Sequence, residues 1–173
     1  MIIKSFGLFW QRSEVEWAPG RGKKNEFRLL GRQNRNAGAL RLADFREQRG
    51  IYVLYDDYGP NYVGLANELA IGTRLKHHTT DRHSDSWDRF SWFGFRRVLK
   101  GCDGDGLRNL GKVPKTLVTN SESAIRDIEA LLIMSLGTHT RGNINQMQFA
   151  AATHWLQVQH HEIEMYVEKA RRG

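Results

Sequence analysis

One stretch, GIYVLYDDYGPNYVGLANELAIGTRLKHH at 50–78, constrains this chain more than any other. Two apolar runs, Gly50 to Tyr55 and Asn61 to Leu65, flank a polar segment rich in Asp, Gly and Pro, residues that turn the backbone. That pattern predicts a β-hairpin, with a helix following at once. Arg74 and His78 stand four residues apart on the predicted helix and so share one of its faces. Tyr52 and Tyr62 lie one in each strand. Two phenols, a fixed positive charge and a titratable ring can converge on an anion; the same residues can equally serve as ordinary strand tyrosines and a solvated helix face.

The flanking sequence extends this unit. A predicted strand at Ile2 to Trp10, and a second around Val15 to Trp17, precede it, and the aromatic run Phe90 to Val98 suits a third strand of a small sheet. Residues 99–120 read as irregular; their Asp-Gly alternation lacks the later Glu of an EF-hand loop. A second helix begins after Thr119 and Glu122, which stand at capping-box spacing, and ends before Gly137. Ile125, Ile128, Leu132 and Leu136 form its predicted apolar stripe, with Glu129 in the middle. An ionised carboxylate against a core is costly unless a cation or hydrogen bonds offset it, so Glu129 calls for a partner: an arginine, or a functional site. A last helix, beginning near Phe149, carries Leu156, Ile163, Tyr166, Val167 and Ala170.

Charge points to a partner. The 173 residues carry a formal net charge of +7, and lysines and arginines that neutralise phosphates release condensed counterions. Between 19 and 35, Arg21, Lys23, Lys24, Arg28, Arg32 and Arg35 face one acid, Glu26. This segment reads as an arm that tracks a phosphate backbone, or as a solvated loop. It lacks the Gly-Lys-Ser/Thr ending of a nucleotide-binding P-loop. Cys102 is the only cysteine, which excludes an intramolecular disulfide framework, and the seven histidines form no convincing zinc set by spacing. No segment reads as a signal peptide or a membrane span, so a soluble cytoplasmic protein with no membrane partner is expected.

Gly50-Ile51-Tyr52 followed by Tyr62-Val63-Gly64, then Arg74, a carboxylate on a later helix and an asparagine beyond it, resembles the GIY-YIG nuclease family over roughly 50–145. The resemblance implies an α/β fold with a small three-stranded antiparallel or mixed sheet flanked by helices. It divides the chain into a basic N-terminal extension (1–48), a nuclease core (49–149) and a C-terminal helical extension (150–173). It implies a divalent-metal-dependent endonuclease acting on DNA, with Mg²⁺ or Mn²⁺ held by Glu129. Tyr52 becomes the general base, relieved of its proton with help from His78, Arg74 and the metal, by charge or by accepting the proton; Arg74 and Tyr62 hold the phosphate, and Asn145, with Asn143 as competitor, fixes the geometry. Arg21, Lys23, Lys24, Arg28 and His83 become nucleic-acid contacts. One active site cuts one strand, so double-strand cleavage would need a homodimer or sequential nicks. A non-catalytic nucleic-acid-binding module of the same fold and an RNA-directed nuclease are the alternatives.

Overall fold

The computed structural model describes residues 2–18, 27–114, 121–137, 149 and 151–172, the side chains of 37 and 121–123 apart. Among these residues ten strands and three α-helices follow in chain order: β1 (Ser5–Gln11), β2 (Leu30–Gln33), β3 (Arg41–Asp44), β4 (Gly50–Asp56), β5 (Gly59–Ala66), α1 (Ile71–His77), β6 (Arg89–Gly94), β7 (Val98–Cys102), β8 (Arg108–Leu110), α2 (Ser121–Ser135), β9 (Thr153–His154), β10 (Leu156–Gln157) and α3 (Ile163–Arg172). The strands form two five-stranded sheets, ordered β5-β4-β6-β1-β9 and β10-β2-β3-β8-β7. Both are mixed, because β1 pairs with β9, and β3 with β8, in parallel.

This corrects the expected small three-stranded sheet flanked by helices. The predicted hairpin and third strand are present as β5-β4-β6, paired antiparallel with Tyr52 opposite Gly64 on one side and Trp92 on the other. They are three of the five strands of the first sheet. A second sheet, drawn from residues ahead of the hairpin, from 98–110 and from the C-terminal region, lies beside it. Its strands are two to five residues long, too short for periodicity to announce them, and they exist because neighbouring strands supply their hydrogen bonds. The stretch read as irregular holds the β7-β8 pair, and the region read as one long C-terminal helix holds β9, β10 and, only from Ile163, α3. Val15 to Trp17 is not a strand; a single 3-10 turn, Arg12–Glu14, precedes it.

Side-chain alternation stacks the layers. Tyr52 and Leu54 point from β4 into a core shared with Trp10, Phe45, Trp92 and Trp155, between the two sheets. Val53 and Tyr55 point the other way, into a core with Ile3, Phe6 and, from α2, Ala130 and Met134. On the second sheet Leu42 joins Ile163, Tyr166 and Val167 of α3, while its neighbour Ala43 faces the central core. The order is therefore α2, first sheet, second sheet, α3.

The predicted stripe of α2 is also corrected. Ile125, Ile128, Leu132 and Leu136 are 65, 57, 51 and 58 % exposed, whereas Ala130, Ile133 and Met134 are buried. Periodicity marks apolar spacing but not which of two adjacent faces a sheet will cover. The small Ala130 permits close approach, and Asp127 turns inward because its carboxylate accepts the backbone N–H groups of Ile2 and Ile3 at 2.5 and 3.3 Å. Among the described side chains of this helix the buried acid is thus Asp127, and Glu129 is exposed. The capping-box pair Thr119 and Glu122 lies outside the described side chains. No helix among the described residues is long and apolar enough to cross a membrane.

Candidate active site

Tyr52 is fully buried and owes its place to a missing side chain. A Cβ on Gly64, its cross-strand partner, would lie 2.1 Å from Tyr52 Cζ and 2.2 Å from its Oη. The glycine of the Tyr-Val-Gly tripeptide is therefore the floor on which the phenol rests. Gly50 has a related role: at φ +155° a Cβ there would meet Phe93 O at 1.9 Å, so only glycine lets β4 start against β6.

Helix α1 is docked by its N-terminus. The N–H groups of Ile71 and Gly72 donate to the carbonyls of Gln48 and Arg46 at 2.8 and 3.0 Å, and Ile71 and Leu75 are buried in the central core. With those residues inward, Arg74 and His78 face the hairpin, as their spacing predicts. His78 ends the helix and is 4 % exposed; Trp87 Nε1 donates to its carbonyl at 3.1 Å.

The imidazole bridges two partners. Its Nε2 lies 2.8 Å from Tyr52 Oη and its Nδ1 2.8 Å from Asp81 Oδ2. The other Asp81 oxygen accepts the His83 N–H at 2.8 Å. Around this line the rings of Tyr62, His78 and His83 gather, with centroids 5.1, 4.7 and 5.2 Å apart for Tyr62–His78, Tyr62–His83 and His78–His83. Tyr52 and Tyr62 are 6.1 Å apart by the same measure. A cleft of about 480 Å³ opens here, lined by Tyr62, Arg74, His78, Asp81, Arg82 and His83 among others.

The electrostatics follow from these contacts. Burial raises the pKa of Tyr52, opposed by the hydrogen bond and charge of Arg74. The hydrogen bond that Arg74 donates to Tyr52 in turn raises the pKa of Arg74 against its own burial. Burial lowers His78 below the ordinary imidazole value, with the Asp81 hydrogen bond and charge working against it. Burial alone would raise Asp81, but hydrogen bonds from the His83 backbone and from His78 outweigh it and hold the carboxyl below its usual range.

Of the residues expected at the site, Tyr52, Tyr62, Arg74, His78 and His83 come together. Glu129 does not join them: its helix packs on the Val53–Tyr55 face of the first sheet, opposite the face that carries Tyr52. Nor do three His, Cys, Asp or Glu side chains gather as a metal-holding group among the described residues. A divalent cation shared between Glu129 and the Tyr52–Arg74 cleft does not fit this arrangement. Arg28 is engaged within the protein, 2.6 Å from Asp105, which also binds Arg171 at 2.7 Å. Arg21, Lys23, Lys24, Asn143 and Asn145 lie outside the described residues. Asp81 is the member that sequence reading missed. The signal was an acid three residues beyond a histidine at a helix end, within reach once the chain turns.

Compared with protein-family models, with curated proteins and with solved structures, the chain matches none.

Proposed function

We propose that this protein is a hydrolase of phosphodiester bonds, an endonuclease acting on DNA, with a GIY-YIG-like hairpin as its catalytic platform. The observation that carries the reading is the contact of Tyr52 Oη with His78 Nε2 at 2.8 Å, which ties the buried phenol to a ring that lines the same cleft as Arg74 and Tyr62. Phosphodiester hydrolysis needs an anion clamp and a base for water, and both are side chains on regular elements here. The net charge of +7 favours a polyanionic substrate.

The guanidinium of Arg74 binds the non-bridging oxygens of the scissile phosphate and grows more favourable as charge builds in the transition state. Tyr62 donates its phenolic O–H to a second oxygen. Water then attacks phosphorus. Its proton passes to Tyr52 Oη as the phenolic proton passes to His78 Nε2; the new P–O bond forms, the bond to the leaving oxygen breaks, and that oxygen takes a proton from solvent. A free phenol, with a pKa near ~10, is a weak base at neutral pH, and concerted transfer to imidazole removes that obstacle. No step here passes through a metal, because Glu129 stands on the other face of the sheet.

The test is a panel of supercoiled, linear and single-stranded DNA, and matched RNA, with and without Mg²⁺ or Mn²⁺. The wild type should nick or cut DNA, and Tyr52→Phe and Arg74→Ala should each lose about 10²-fold or more in rate while retaining binding. Binding by the wild type with no turnover on any substrate in the panel would leave only a nucleic-acid-binding module. Cleavage of RNA alone would move the substrate assignment.

A further inference from the structure

We propose that Asp81 is a positioning residue of this site: it holds the His78 ring as the Nδ1–H tautomer, so that Nε2 presents its lone pair to the Tyr52 phenol as the proton acceptor. The inference rests on the phosphodiesterase reading and adds to it the residue that gives His78 a direction.

The argument is one of donors and acceptors. An ionised carboxylate accepts and cannot donate, so a carboxylate oxygen 2.8 Å from His78 Nδ1 requires a proton on that nitrogen. In a neutral imidazole the other nitrogen is then an acceptor, and the group 2.8 Å from it is a phenol, which can donate. The line therefore runs one way: Tyr52 O–H to Nε2, Nδ1–H to Asp81. The carboxylate is itself held from behind by the His83 N–H at 2.8 Å, so it does not rotate freely.

The surroundings keep the ring ready to accept. Facing it are Tyr52 from β4, Tyr62 from β5, Arg74 one turn earlier on α1, and Asp81 and His83 from the turn that follows. Burial, Arg74 and His83 disfavour the imidazolium, and Asp81 alone among these groups favours it. Asp81 thus also stabilises the ring at the moment it takes the phenolic proton. A carboxylate that served only to cap the turn would do neither.

Asp81→Asn separates these roles. Asparagine keeps an oxygen for the His83 N–H but offers an N–H₂ to His78 Nδ1, which drives the ring proton to Nε2, where it opposes the Tyr52 proton. Side-chain ¹⁵N NMR of the free protein reads the tautomer without any substrate. The wild type should show Nδ1–H and the variant Nε2–H. In the cleavage assay kcat should fall by about 10²–10⁴-fold with KM within a few-fold, and the acid limb of the residual rate should move to lower pH because the group that raised His78 is gone.

An Nε2–H tautomer in the wild type, or a variant whose kcat and pH profile are unchanged, overturns the inference with the nuclease reading intact. A wild type that shows the expected tautomer and switch but hydrolyses neither DNA nor RNA overturns the nuclease reading, and the catalytic role of Asp81 with it.

Discussion

Gly64 leaves open the space that the Tyr52 ring fills: a Cβ on the glycine would sit 2.2 Å from the phenolic oxygen. Gly64→Ala must therefore displace the ring from His78 or spread β4 from β5. We expect a loss of about 1–3 kcal/mol in stability and a fall in cleavage rate close to that of Tyr52→Phe. Chemical denaturation and the nicking assay, run on the same preparation, measure both. Full activity in the alanine variant would show that the phenol need not lie where it does.

The pH dependence follows from His78. Its folded pKa is depressed below the ordinary 6.5, so in the window between the two values the unfolded chain binds the proton that the folded chain refuses. This contribution to stability is fully present above about 6.5 and is lost as pH falls through the folded pKa. Cleavage should follow the same group: because protonated Nε2 cannot accept from Tyr52, the rate should rise with pH along a limb whose midpoint lies below 6.5. Rate profiles and melting temperatures from pH 4.5 to 8 check both trends, and His78→Gln should abolish the limb.

Asp105 ties three distant parts of the chain together, since one of its oxygens meets Arg28 and the other Arg171 of α3. The Arg28 side chain is only 9 % exposed, so removing its hydrogen-bonded partner leaves a largely buried cation with the charge of Asp44 but without its ion pair to Asp105. Asp105→Ala is expected to cost about 1–3 kcal/mol, the penalty of an unpaired polar group, and to lower the melting temperature by several degrees. The Tyr52 cleft does not include these residues, so kcat at a temperature well below the melt should stay within about twofold. Thermal unfolding and single-turnover cleavage separate the two effects.

Glu129→Ala distinguishes the position that the family resemblance implies for the metal ligand from the position the fold gives it. The side chain is exposed on α2, whose buried residues cover the face of the sheet turned away from Tyr52. On this geometry the substitution changes stability by no more than about 0.5 kcal/mol and leaves cleavage within a few-fold, with or without Mg²⁺. A metal-dependent loss of 10²-fold or more would show that α2 delivers its carboxylate to the cleft by another route.

The hairpin, the helix after it and the aromatic third strand were legible because each is specified locally. Turn residues between two apolar runs define β4-β5, and a four-residue spacing puts Arg74 and His78 on one face whatever the helix packs against. Tyr52, Tyr62, Arg74 and His78 could therefore be nominated together from the linear string. Asp81 could not, since its role depends on how tightly the chain turns after α1, a geometry held by hydrogen bonds from His83 and Trp87.

The second sheet, the outward stripe of α2 and the place of Glu129 belong to tertiary structure alone. Strands of two to five residues carry too little periodicity to declare themselves, and the parallel pairs β1-β9 and β3-β8 join segments far apart in sequence. On α2 two adjacent faces are apolar enough to be buried, and the choice fell to the one with small Ala130 and with Asp127 able to receive the backbone of Ile2 and Ile3. By itself the sequence determined which groups could do chemistry, because local spacing sets which side chains share a strand or a helix face. Only the packed structure decided which of them meet, because burial and long-range pairing choose among faces that the linear pattern leaves equivalent.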